Sequence, residues 1–133
     1  MIDVALIETG AGADLIFRDG DLQPAMGVEN IPYLSQFGGT DDWWGNQFVE
    51  VPYDCKTERA LIDNPLTSKG RNNIEEAIVE DIAYVKTILP DTNITQTVTI
   101  TGNNALSVVM NFDGQQFKML WKPDISFLNY SIK

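Results

Sequence analysis

At Pro90 the apolar residues of this chain change their spacing, and few architectures accommodate the switch. Upstream, Ile74, Ala77, Ile78, Ile82, Val85 and Leu89 recur at intervals of three and four, which predicts an amphipathic helix over 72–89. Asn72 or Asn73 is expected to cap it, and Pro90 to end it. Glu75, Glu76, Glu80 and Asp81 are expected on its solvated face, near the positive end of the dipole for the first two. From Asn93 the period becomes two. Ile94, Val98 and Ile100 alternate with Thr95, Thr97, Thr99 and Thr101, then Leu106, Val108, Met110 and Phe112 alternate, and then Phe117, Met119 and Trp121.

Three strands of this kind predict a meander whose register the turns fix. A two-residue turn at Asp113-Gly114 pairs Met110 with Phe117, Val108 with Met119 and Leu106 with Trp121. A three-residue loop at Gly102-Asn103-Asn104 sets Val98 opposite Val108 and Ile100 opposite Leu106, on the same face. One apolar sheet face and one apolar helix stripe are complementary. The expected class is therefore α+β: an amphipathic helix packed on a three-stranded antiparallel β-meander, with an N-terminal β-hairpin and a short helix. The 133 residues are expected to form a single domain, with an extended segment and hairpin over 1–25, a core over 26–122 and a tail over 123–133.

Nearer the N-terminus the signals are shorter. Met1–Glu8 reads as extended, and Gly10-Ala11-Gly12-Ala13 as a hinge, because Leu15 stands where a dinucleotide fingerprint needs its third glycine. Asp19-Gly20 is expected to turn a small hairpin over 14–23; a calcium loop fails because Gln23 and Pro24 interrupt the ligand spacing. Val28, Ile31, Leu34 and Phe37 predict a short helix that starts near Asn30, with Pro32 in its first turn, and stops at Gly38-Gly39. Residues 49–54 read as extended at best, and 56–62 as a helical turn stopped by Asn64-Pro65.

Charge and residue types narrow the chemistry. The net charge is -10, and residues 1–63 hold 12 acidic against 3 basic side chains, a net of -9. Such a surface repels phosphate backbones and anionic lipid, so neither nucleic acid nor a membrane is an expected partner. No apolar run approaches a membrane span, no basic leader precedes Ile2, and Cys55 stands alone, so a cytosolic place of folding is expected. With no histidine and no cysteine pair, no catalytic residue, metal site or cofactor is expected. A carboxylate-dependent glycosidase is the enzymatic alternative. It would use Asp41 or Asp42 with Glu50 or Asp54, but that mechanism needs two carboxyls facing across a cleft, and nothing in the sequence assembles one. A free-standing acidic binding module is a third reading.

Between the halves lies FGGTDDWWGNQF, residues 37–48, with two adjacent tryptophans. A tryptophan covers a large area of core or partner. At least one of Trp43 and Trp44 is expected to fasten the loop against helix and sheet, and the other to face a neighbouring protein. In the tail, Ile125, Phe127, Tyr130 and Ile132 are too apolar for a disordered end, so it either pairs back onto the sheet or awaits a partner.

The order of elements, an N-terminal hairpin, a helix ending in LSQFGGTDDWWGNQF, a second helix NNIEEAIVEDIAYVKTIL, then TQTVTITGNNALSVVMNF and FKMLW, resembles the baseplate wedge and sheath-initiator family of contractile-tailed phages, in its Mu-like branch. The resemblance covers roughly residues 13–122 and is strongest at Trp43-Trp44-Gly45. It implies a structural virion protein of the tail baseplate, assembled in the bacterial cytoplasm, one copy per wedge. Its implied role is to seat the first sheath ring and bind core wedge proteins, close to the tail tube. The family's lysozyme-like label is set aside on the carboxylate argument above. The better-known branch carries a Glu-Pro-Arg-type signature after its first helix. Here Gly38–Asp42 lacks both Pro and Arg, which leaves Arg59 as the nearest basic candidate for that role. The interaction residues expected are Trp43, Trp44, Phe127, Tyr130 and the strand bearing Thr95, Thr97 and Thr99, an acceptor for strands donated by sheath subunits.

Overall fold

The computed structural model describes residues 2–4, 6–8, 13–26, 30–39, 44–52, 54–102, 104–125 and 127–132. The expected hinge glycines Gly10 and Gly12, together with Val28, Asp41, Asp42 and Trp43, lie outside them. The fold is α+β. The chain forms two compact units, Met1–Pro32 with Thr92–Lys133, and Tyr33–Asp91.

In the first unit, the N-terminal residues make short antiparallel ribbons. Strand β1 (Ile2–Val4) pairs with β6 (Pro24–Met26), β2 (Leu6–Glu8) with β3 (Ala13–Leu15), and β4 (Phe17–Arg18) with β5 (Asp21–Leu22). The expected turn joins β4 to β5, with Asp19 at φ 54° and Gly20 at φ 82°, the two positive values a tight hairpin turn demands.

The same unit holds the meander: β7 (Ile94–Thr101), β8 (Ala105–Phe112) and β9 (Gln115–Lys122). Its register is the one the turns dictate. Val98 faces Val108 and Ile100 faces Leu106; Met110 faces Phe117, Val108 faces Met119 and Leu106 faces Trp121. Asp113 at φ 51° and Gly114 at φ 95° supply the two-residue turn, and Asn104 at φ 51° the bend before β8. Val98, Leu106, Val108, Met110, Phe112, Phe117, Met119 and Trp121 are all buried, and the Phe112 and Phe117 rings meet edge to face at 5.4 Å. The sheet has a fourth strand beyond the expected three. The tail pairs back as β10 (Phe127–Ile132), antiparallel to β9, giving the order β10-β9-β8-β7. Of the two fates open to the tail, pairing is the one observed.

The second unit is helical. Helix α1 (Ile31–Phe37) begins with Pro32 in its first turn and stops at Gly38 as expected; α2 (Thr57–Asp63) ends at Asn64 before Pro65. Helix α3 (Ser68–Ile82) starts a turn earlier than 72. Its cap is Thr67, not Asn72 or Asn73, and the Thr67 side chain accepts the Gly70 N–H at 3.1 Å. A turn at Ala83-Tyr84 separates α3 from the short α4 (Val85–Ile88), so the expected continuous helix is two pieces. Ile74, Ala77, Ile78, Ile82 and Val85 are buried as the stripe requires.

Candidate protein-interaction surfaces

Strand β7 ends the sheet, and among the described residues no strand pairs with its outer side. Which of its backbone groups face outward follows from one hydrogen bond. The Asp113 N–H donates to the Asn93 carbonyl at 3.0 Å, so Asn93 and Asp113 are a hydrogen-bonded pair of the antiparallel ladder. Such pairs alternate, and the register then makes Thr95–Asn111, Thr97–Val109 and Thr99–Ser107 hydrogen-bonded too. The two-residue turn at Asp113-Gly114 agrees, since it directs the groups of Phe112, Met110 and Val108 toward β9, leaving those of Asn111, Val109 and Ser107 for β7.

The outward N–H and C=O groups of β7 therefore belong to Ile94, Gln96, Val98 and Ile100. The backbones of Thr95, Thr97 and Thr99 serve the chain's own ladder, while their side chains are exposed on the sheet's polar face. Natural edges are blunted by charge, proline or bulges. β7 reads ITQTVTIT, with none of the first two, and its register to β8 is continuous.

The other expected interaction residues divide. Phe127 and Tyr130 are in β10, opposite Lys122 and Met119, so their strand is already paired on one side. Trp44 opens a 3-10 turn (Trp44–Phe48) and is 71% exposed, with its ring edge-on to Phe48 at 6.0 Å. Trp44 faces outward, and the other tryptophan of the pair, Trp43, lies outside the described residues. Arg59 is exposed on α2 beside Glu58, Ile62 and Asp63.

One residue has a different setting from the one expected. Asp81 is 9% exposed, not part of a solvated face. Its carboxylate accepts the N–H of Lys56 at 2.9 Å, the N–H of Thr57 at 2.8 Å and the Thr57 hydroxyl at 2.6 Å. The residue at the N-cap of α2, Lys56, makes no side-chain cap of its own. Asp81 thus caps α2 from α3, and the first turn of α2 gains the negative charge its dipole favours. The sequence carried a signal: 74, 77, 78, 81, 82 and 85 are one helical stripe, and position 81 lies inside it. Glu80, one residue earlier, is exposed and forms an ion pair with Lys56.

Burial raises the Asp81 carboxyl above its ordinary range, and the hydrogen bonds from Thr57 and Lys56 offset only part of that. An acid whose folded pKa lies above its unfolded one binds protons more tightly when folded. Its stabilisation is complete below the unfolded value and is lost as pH rises through the folded one. Replacing Asp81 with Asn is accordingly expected to cost more stability below the ordinary carboxylate range than at neutrality. Urea midpoints for wild type and Asp81→Asn at the two pH values check this, and a larger cost at neutrality would refute the burial-dominated account.

Among the described residues no three His, Cys, Asp or Glu side chains converge as metal ligands, and no helix is long and apolar enough to cross a membrane. Comparison with known proteins finds no family model, no curated protein and no solved structure that matches the chain.

Proposed function

We propose that the chain is a structural baseplate protein of a contractile phage tail, one that seats the first ring of sheath subunits and binds core wedge proteins by β-strand addition. The observation that carries the binding mode is the unblunted edge of β7, with the backbone groups of Gln96 and Ile100 directed away from β8. An extended segment laid along that edge gains main-chain hydrogen bonds from alternate residues. The phage-tail setting rests on the resemblance carried by residues 34–45 and by the order of elements. In that setting the donated strands come from sheath subunits, and wedge proteins are the other neighbours.

The outward and inward positions of β7 provide the test. Proline at Gln96 removes an outward donor that no described strand pairs with; at an inward position it breaks the chain's own ladder. Gln96→Pro is expected to keep the circular-dichroism spectrum of the wild type and to lose at least about tenfold in affinity for purified sheath subunits. Thr97→Pro is expected to compromise the fold itself. A folded Gln96→Pro protein that binds sheath as the wild type does would end the strand-addition reading.

A further inference from the structure

The second unit turns a strip of large apolar side chains into water. Trp44, Phe48 and Val51 are 71%, 73% and 82% exposed, and Val49 between them is also exposed. Four large apolar side chains exposed within eight residues of chain, two of them in ring contact, mark an interaction site, because each is better removed from water. The strip runs on along the chain into a groove of about 390 Å³ lined by Val51, Pro52, Asp54, Lys56, Glu80 and Tyr84 among others. That volume lies at the small end of ligand pockets and suits inserted side chains. The groove's charge is biased. Asp54, Glu80 and Asp81 line it, with Lys56 the cation among its described lining residues; Glu80 is paired with Lys56 and Asp81 is engaged as the cap of α2, so the carboxylate turned to a partner is that of the exposed Asp54. Glu50, within the strip, is exposed and adds to the negative side.

We propose that Trp44, Phe48, Val49 and Val51, together with this groove, form a second docking surface, whose occupant is a basic segment of a partner protein that presents apolar anchors flanked by lysine or arginine. The apolar strip supplies an exposed tryptophan of the kind that dominates interface energetics. The carboxylates select for cations in the partner and speed its approach. The same carboxylates disfavour a second copy of this chain, whose net charge of -10 would bring acid against acid.

The test titrates the isotope-labelled full chain with two short synthetic peptides: one with leucine and tryptophan anchors between arginines and lysines, and its counterpart with every cation replaced by glutamate. The basic peptide is expected to shift the amide resonances of residues 44–52 and of the groove, and to weaken as salt is added. Its glutamate counterpart is expected not to bind. The double variant Trp44→Ser/Phe48→Ser, which alters only exposed side chains, is expected to lose at least about tenfold in affinity. Gln96→Pro is expected to leave peptide binding unchanged, which separates this surface from the sheet edge. Equal binding of both peptides, shifts located elsewhere, no binding of the basic peptide, or an unaffected double variant would each overturn the proposal. So would self-association of the wild type that the double variant abolishes, since it would assign the strip to a second copy.

Discussion

Truncating Asp81 to alanine is expected to destabilise the protein by about 3 kcal/mol at neutral pH, read as a lower urea midpoint with an unchanged slope. Two backbone N–H groups, those of Lys56 and Thr57, and the Thr57 hydroxyl would lose their acceptor at once. Thr57 is fully buried, so water does not replace the carboxylate there without opening the site. Loss of a helix cap alone costs about 1 kcal/mol, and each buried donor left unsatisfied about 1–3 kcal/mol, so the combined effect exceeds an ordinary cap deletion. Asp81→Asn retains one acceptor oxygen and is expected to recover part of the loss. Glu80→Gln, which removes the exposed ion pair with Lys56, is expected to change stability little, because exposed pairs are screened and flexible. A cost for Asp81→Ala no larger than for Glu80→Gln would mean that α2 does not depend on this cap.

The contrast between these neighbouring acids also shows where the sequence was readable. The meander register came out residue for residue because Asp113-Gly114 and the Gly102–Asn104 loop leave one alignment that keeps Val98, Leu106, Val108, Met110, Phe117, Met119 and Trp121 on one face. The limits of α1 and the end of α2 were equally legible, since Pro32, Gly38 and Pro65 act through local sterics. The start of α3 was not, because Lys69, Gly70 and Arg71 interrupt the apolar stripe and glycine counts against a helix. The break at Ala83-Tyr84 has neither glycine nor proline to announce it. β10 was hidden because its apolar residues share no single period, and only its pairing with β9 defines it as a strand. For β7, the alternation of Thr and apolar residues told which side chains share a face. It could not tell which backbone groups turn outward, because that depends on the phase of the hydrogen-bonded pairs along β8.

Gly70 illustrates the opposite case, a residue that local propensity would replace and the tertiary arrangement forbids. In a helix interior, alanine is favoured over glycine by about 1 kcal/mol. A Cβ at position 70, however, would stand 1.9 Å from the carbonyl oxygen of Pro65, a backbone atom that cannot rotate away. The same carbonyl accepts the Thr67 N–H at 2.8 Å, and the Thr67 hydroxyl in turn accepts the Gly70 N–H. Relieving the overlap therefore displaces the turn that caps α3, and the Asn73–Asn64 side-chain hydrogen bond nearby is disturbed with it. We expect Gly70→Ala to destabilise by about 2–3 kcal/mol net of the propensity gain, which makes it a strain mutation and not a cap mutation. Thr67→Ala, which removes only the capping oxygen, is expected to cost about 1 kcal/mol. Thermal unfolding of the two variants side by side checks the order. If Gly70→Ala were as stable as the wild type or more so, the turn at Pro65 would have to move freely, and the close approach of Pro65 to the first turn of α3 would not be a fixed feature of the fold.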